Sequence, residues 1–185
     1  MSGDTSAFKT IIENTEGLVA QILFKMIPNS DDRKDIAQDV YLKTFQKLTS
    51  FRFRSKLCTW VGRIAYNTCL NYLEKRKLIL IDNYNSDNED QDETLEILNN
   101  KIDPIGNETE KLIYKKELSE ILAIEIDNLS TLYRTLVTLY HNEDLSYSEI
   151  SEITDLPEGT VKNYLFRARK TLRDRLLVTY EREEL

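Results

Sequence analysis

The chain has 185 residues, a formal net charge of −7 and 41% apolar residues, which suits one domain or two small ones with modest cores. Five glycines and three prolines in a chain rich in Leu, Ile, Lys and Glu predict an all-α fold. No apolar run approaches the ~18 residues of a membrane span and the N-terminus lacks a secretory layout, so a cytoplasmic protein without membrane insertion is expected.

The first predicted helix spans about Asp4 to Met26, with Phe8, Ile11, Ile12, Val19, Ile22 and Leu23 as its apolar face, and stops at Pro28-Asn29. The second starts at a Ser30-Asp31-Asp32 cap and runs to about Leu48. Its expected core positions are Ile36, Ala37, Val40, Tyr41, Thr44, Phe45 and Leu48, leaving Asp35, Gln38, Asp39 and Leu42 on other faces. By themselves those acids read as solvated helix capping. A loop from Thr49 to Lys56 leads into a third helix, about Leu57 to Arg76, with Trp60, Val61, Ile64, Ala65 and Thr68 on one stripe. On that stripe Trp60 suits burial and base stacking equally, whereas Arg63 and Asn67 lie on another face and suit contact with a nucleic-acid strand. Lys75, Arg76 and Lys77 close the helix, either as cations at its negative dipole end or as strand contacts.

Residues 82 to 93 are polar and acidic with almost nothing to bury, and read as a flexible linker. Helices are then expected near Glu108–Ile126 and Ser130–Tyr140. Two cysteines, Cys58 and Cys69, sit about 16 Å apart along one helix, too far for a disulfide. With His141 as the single histidine there is no zinc set, no cofactor motif and no catalytic frame, so neither a metal nor a cofactor is expected and an enzyme is disfavoured.

Charge is segregated. From Asp82 to Glu110 there are ten acids and one base, which leaves the rest of the chain net positive. Nine bases and one acid lie between Lys43 and Lys77, and six bases and one acid between Gly159 and Arg175. Two basic blocks flanking an acidic one suit DNA binding despite the negative total. The tethered acidic segment is expected to compete weakly with DNA for the basic faces.

The last third predicts a helix-turn-helix. Ser146 and Glu149 form a capping box, Ile150 and Ile153 give a short helix its apolar stripe, and Asp155-Leu156-Pro157 ends it. In the second helix Val161, Leu165, Ala168 and Leu172 make one face, and Thr160, Lys162, Asn163, Phe166, Arg167, Arg169 and Lys170 fall mostly elsewhere. That is the layout of a recognition helix in a major groove.

Two blocks together resemble the extracytoplasmic-function (ECF) sigma factors of bacterial RNA polymerase, within the sigma-70 family. Residues Asp35 to Leu48, Ser50-Phe51-Arg52 and Thr59 to Thr68 resemble region 2, and Leu145 to Ser151, Gly159 to Asn163 and Arg167 to Arg173 resemble region 4. The resemblance implies two small helical domains: region 2 over 4–80, an acidic linker over 81–107, and region 4 over 108–180 with its helix-turn-helix at about 146–173. It implies that region 2 docks on the clamp helices of core RNA polymerase through Asp35, Gln38, Asp39 and Leu42, and opens the minus-ten element of promoter DNA. The minus-ten contacts it implies are Phe53, Arg54, Ser55, Lys56, Trp60, Arg63 and Asn67, with the Phe53–Lys56 loop cradling an unstacked base. The family usually carries a glycine where Phe53 stands. For the minus-thirty-five element it implies Thr160, Lys162, Asn163, Phe166, Arg167 and Lys170. Family members are commonly held inactive by an anti-sigma factor, so such a partner is also expected. The alternative is a conventional helix-turn-helix regulator that acts without replacing sigma.

Overall fold

The computed structural model describes residues 5–83 and 108–183, which form seven α-helices and no strand. Helix α1 spans Thr5–Met26, α2 Ser30–Lys47 and α3 Leu57–Asn83, with a 3-10 turn at Leu48–Ser50. Helices α4 (Glu108–Asp127), α5 (Thr131–His141), α6 (Tyr147–Thr154) and α7 (Glu158–Glu183) complete the chain. The expected linker over 81–107 lies outside the described residues, except that 81–83 continue α3.

Local chemistry explains the helix ends. The cap of α2 is Asn29, one residue ahead of the expected Ser30; its side chain accepts from the Asp31 N–H at 2.8 Å and the Asp32 N–H at 3.4 Å. The exposed carbonyls after α1 are satisfied by arginines: Arg33 Nε donates to Ile27 O at 2.6 Å and Arg134 Nε, from α5, to Lys25 O at 2.6 Å. Tyr72 bonds Asp32, and Arg76 lies 3.6 Å from the same carboxylate, tying α3 to α2; α3 runs on to Asn83, so Lys75, Arg76 and Lys77 do not close it as expected.

One expected core residue is outside. Phe45 is 57% exposed and meets Phe8 edge-on at 5.1 Å. Thr44 takes the inward position instead and returns its hydroxyl to Val40 O at 2.7 Å, so Phe45, a step further around the helix, emerges beside the start of α1.

The two halves are not separate. Helix α1 packs on α5, and α3 packs on α6. A single buried cluster runs from Leu18, Ile22, Val61 and Ala65 to Leu136, Ile150, Ile153 and Leu165. Each Leu, Ile or Val of this cluster contributes about 1.5–3 kcal/mol when fully buried, so pooling two small cores stabilises both. Gly62 sits at this seam because a β-carbon there would lie 3.1 Å from both Ile153 Cδ1 and Leu18 Cδ2.

Candidate nucleic-acid interface

The helix-turn-helix forms as its residues predict. The Ser146 N–H donates to Glu149 Oε2 at 2.9 Å and the Glu149 N–H to Ser146 Oγ at 3.3 Å, closing the capping box of α6. Asp155 ends α6 in the left-handed region at φ 60, a conformation that aspartate tolerates. Pro157 then accepts from the Thr160 N–H at 2.8 Å and the Val161 N–H at 3.0 Å through its carbonyl, opening α7. Val161, Leu165 and Ala168 are fully buried, with Leu172 almost so.

Opposite that stripe Asn163, Phe166, Arg167 and Lys170 are exposed, Phe166 by 67%. Thr160 is half-buried in the first turn. Lys162 and Arg169 lie on the flank of this face. Lys162 Nζ sits 5.3 Å from the Tyr147 ring centre, and the Arg169 guanidinium 4.9 Å from that of Tyr140, which stacks on Tyr147 at 5.0 Å. Arg169 Nε also donates to His141 Nε2 at 3.3 Å, and burial followed by the nearby Arg169 charge pushes His141 below its ordinary pKa. Nothing local in the chain points to this aromatic support, because its members come from three helices.

In the first half, the loop before α3 places Arg52, Phe53, Arg54 and Lys56 in solvent, with Ser55 half-buried. Trp60 is half-buried too, 5.0 Å from Phe51. Arg63 and Asn67 are exposed one turn apart on α3, as their spacing predicts. Two of these cations already have partners across the seam. Lys56 Nζ lies 2.8 Å from Glu149 Oε1, and Arg63 Nη2 donates to Asp155 Oδ1 at 3.1 Å. Lys56 first, then the Ser146 N–H and hydroxyl, hold the Glu149 carboxyl down to about 2. Glu149 in turn raises Lys56.

A third surface stands apart. Asp35, Gln38, Asp39 and Leu42 are all exposed on α2, with Leu42 exposed by 55% and Phe45 beside it. Among the described residues there is no grouping of side chains able to hold a metal and no helix long and apolar enough to cross a membrane. Cys58 and Cys69 are free thiols, and burial pushes Cys69 up to about 12.

Residues 11–79 match the sigma-70 region 2 family and residues 119–172 match sigma-70, region 4. The ECF RNA polymerase sigma factor SigW of Bacillus subtilis is 31% identical over 94% of this chain and 91% of its own length. The ECF RNA polymerase sigma-E factor of Haemophilus influenzae is 33% identical over 94% and 89%. The chain belongs to the ECF sigma factors. It is therefore a promoter-directing subunit that binds core RNA polymerase, and the regulator alternative is left without support. The fold agrees with solved structures. The sigma factor RpoE of Bartonella quintana, in complex with the anti-sigma factor NepR, has a TM-score of 0.66 at 21% identity, covering 94% of this chain and 99% of that one. CnrH in complex with the cytosolic domain of CnrY has a TM-score of 0.62 at 18% identity, covering 96% and 92%.

Proposed function

We infer that this sigma factor divides its work among three surfaces. The α2 face (Asp35, Gln38, Asp39, Leu42) docks on core polymerase. The loop before α3, with Trp60, Arg63 and Asn67, engages the melted minus-ten strand. The outer face of α7 (Thr160, Asn163, Phe166, Arg167, with Lys162 and Lys170 at its edges) reads the minus-thirty-five element. The domain division 4–80, 81–107 and 108–180 goes with this reading, as do a cytoplasmic location and an anti-sigma partner. The complex of the sigma factor RpoE with the anti-sigma factor NepR supports that partner.

The observation that carries this reading is the separation of an exposed basic recognition face from a basic, aromatic loop on one chain. Reconstituted transcription with core polymerase on a promoter library tests it. Promoter-specific transcripts that require the chain are expected. Equal transcription without it would sink the reading.

The closed arrangement constrains the order of events. The two promoter elements lie about 25 base pairs apart, on the order of 85 Å. Asp155 of the helix-turn-helix lies 3.1 Å from Arg63, so the seam must part before both elements are read. Glu149 and Asp155 occupy cations that a DNA strand would use. Replacing them together, Glu149→Gln and Asp155→Asn, removes both charges; glutamine keeps the capping box and asparagine suits the left-handed cap. The free full-length chain should then bind single-stranded minus-ten DNA roughly 3- to 10-fold tighter at low salt, with the gain shrinking as salt rises. Anisotropy titrations at two ionic strengths check this. Unchanged affinity would mean that the strand reaches Lys56 and Arg63 without parting these pairs.

A further inference from the structure

The chain's single histidine, His141, ends α5 at an exposed position beside the flank of the recognition helix. Arg169 Nε donates to its Nε2 at 3.3 Å, so that nitrogen carries no proton in the free chain. The same guanidinium lies 4.9 Å from the Tyr140 ring centre; Tyr140 stacks on Tyr147, and Tyr147 carries Lys162 at 5.3 Å. Two cations seven residues apart, about 10 Å along α7, are thus fixed on one flank by side chains of α5 and α6. In a helix-turn-helix the second helix lies in the groove while the first crosses the DNA backbone. The flank of α7 that faces α6 is therefore where a phosphate of the groove wall passes.

A neutral imidazole turns a lone pair toward such a phosphate, whereas a protonated one offers it an N–H. We propose that His141 and Arg169 form a proton-linked phosphate site: a backbone phosphate beside the minus-thirty-five groove enters between the two side chains, and His141 Nε2 takes up a proton from solvent with it. The bond between Arg169 and His141 then gives way to two charge-assisted bonds to one anion. The inference rests on the reading of α7 as the minus-thirty-five surface. It adds two residues to the contact set and makes that contact depend on pH.

The surroundings fix the sign. In the free chain burial, and then the Arg169 charge, push His141 below its ordinary pKa, while Asp144 pulls the other way. Tyr140 meets the imidazole edge-on at 4.9 Å, and Tyr147 stacks behind it under Lys162. A phosphate offsets the Arg169 charge and adds its own, and the C-terminal end of α5 favours a cation. His141 is therefore more basic on DNA than off it. The added affinity is complete below the free-state pKa and is lost as pH rises through the bound-state one.

The test measures promoter binding by full-length protein assembled with core polymerase, from about pH 8 to about pH 6. The affinity ratio of native protein to His141→Gln cancels the pH response of polymerase and of DNA, and glutamine keeps a neutral acceptor for Arg169 throughout. That ratio should rise about 2- to 5-fold on acidification. A histidine that only braces α5 against α7 would leave the ratio constant, and a constant ratio overturns the proposal. Arg169→Ala should abolish the response and reduce the salt slope of binding by about one. A response that survives in Arg169→Ala overturns the pairing. Methylphosphonate, which removes the charge of one phosphate at a time, should erase the response at one position of the minus-thirty-five duplex; a response untouched at every position also overturns the site. Discrimination between cognate and scrambled minus-thirty-five templates by the native holoenzyme is scored alongside. Its failure refutes the wider reading, whereas discrimination with a constant ratio refutes the proton-linked site alone.

Discussion

Replacing Leu42 by aspartate should weaken association with core RNA polymerase at least ~10-fold and lower promoter-dependent transcription in step, with the fold unchanged. Leu42 projects from α2 with more than half its surface in water, next to the exposed Phe45 and among Asp35, Gln38 and Asp39. An apolar pair rimmed by acids matches a partner with a basic, partly apolar helical face. Buried there, a new carboxylate would lose its water without gaining a partner. In the free chain it costs little, because the side chain touches nothing that holds the core together. Asp39→Arg is the electrostatic companion and should slow association chiefly through charge repulsion. Titration of labelled protein with core polymerase measures the loss, and circular dichroism verifies the helices. Full affinity in both variants would move the docking face elsewhere.

Helices and their punctuation could be read from sequence because their causes are local. Ser146 and Glu149 lie three residues apart, Pro157 stops a helix wherever it falls, and the spacing of Val161, Leu165, Ala168 and Leu172 repeats the helical period. The exposure of Asn163, Phe166, Arg167, Arg63 and Asn67 follows from the same periodicity. What stayed hidden depends on partners distant in the chain. Periodicity put Phe45 in the core because nothing local says that α1 leaves that part of α2 uncovered. Glu149 reads as a capping residue, yet its other oxygen faces Lys56. Asp155 reads as a helix stop, yet it bonds Arg63, 92 residues away. The expected weak competition of the acidic linker with DNA concerns residues outside those described; among the described residues, two acids of the helix-turn-helix meet the loop and α3 cations. Arg134, which caps α1 from α5, gave no sequence signal at all.

The closed form therefore treats its surfaces unequally. The α2 face that we propose docks on polymerase is open, while Lys56 and Arg63 are engaged. Protonation does not release them near neutrality. Glu149 is depressed to about 2, so its contribution is present above the ordinary carboxylate range and lost only as pH falls toward that value. Lys56 is raised, so it stays charged up to its ordinary range and beyond. Both groups keep their charge throughout the neutral range. The halves also share the buried apolar cluster, which screening does not loosen, so what separates them is polymerase holding region 2 while region 4 moves away. Docking first and DNA second is the order that these exposures favour.

Replacing Arg167 by alanine should cost about 1–3 kcal/mol of minus-thirty-five recognition, roughly 5- to 150-fold, and should relax selection at one base pair. Arg167 lies on the exposed face of α7, two turns into a helix whose opposite stripe is buried, so it reaches outward without support from the core. A guanidinium there can grip a guanine edge with two parallel hydrogen bonds from a rigid planar fork, whereas a lysine brings a flexible, strongly hydrated point charge that fixes that geometry less well. Arg167→Lys should therefore keep most of the charge-driven affinity and lose the selectivity. Lys170, one turn further along, is the internal control. As a phosphate contact, its alanine variant should weaken cognate and scrambled sites alike and reduce the salt slope of binding by about one. Competition between cognate and scrambled minus-thirty-five templates for the holoenzyme, repeated at several salt concentrations, separates the two roles. If Arg167→Ala lowers both templates equally, Arg167 holds the backbone, and base reading passes to Asn163 and Phe166 on the same face.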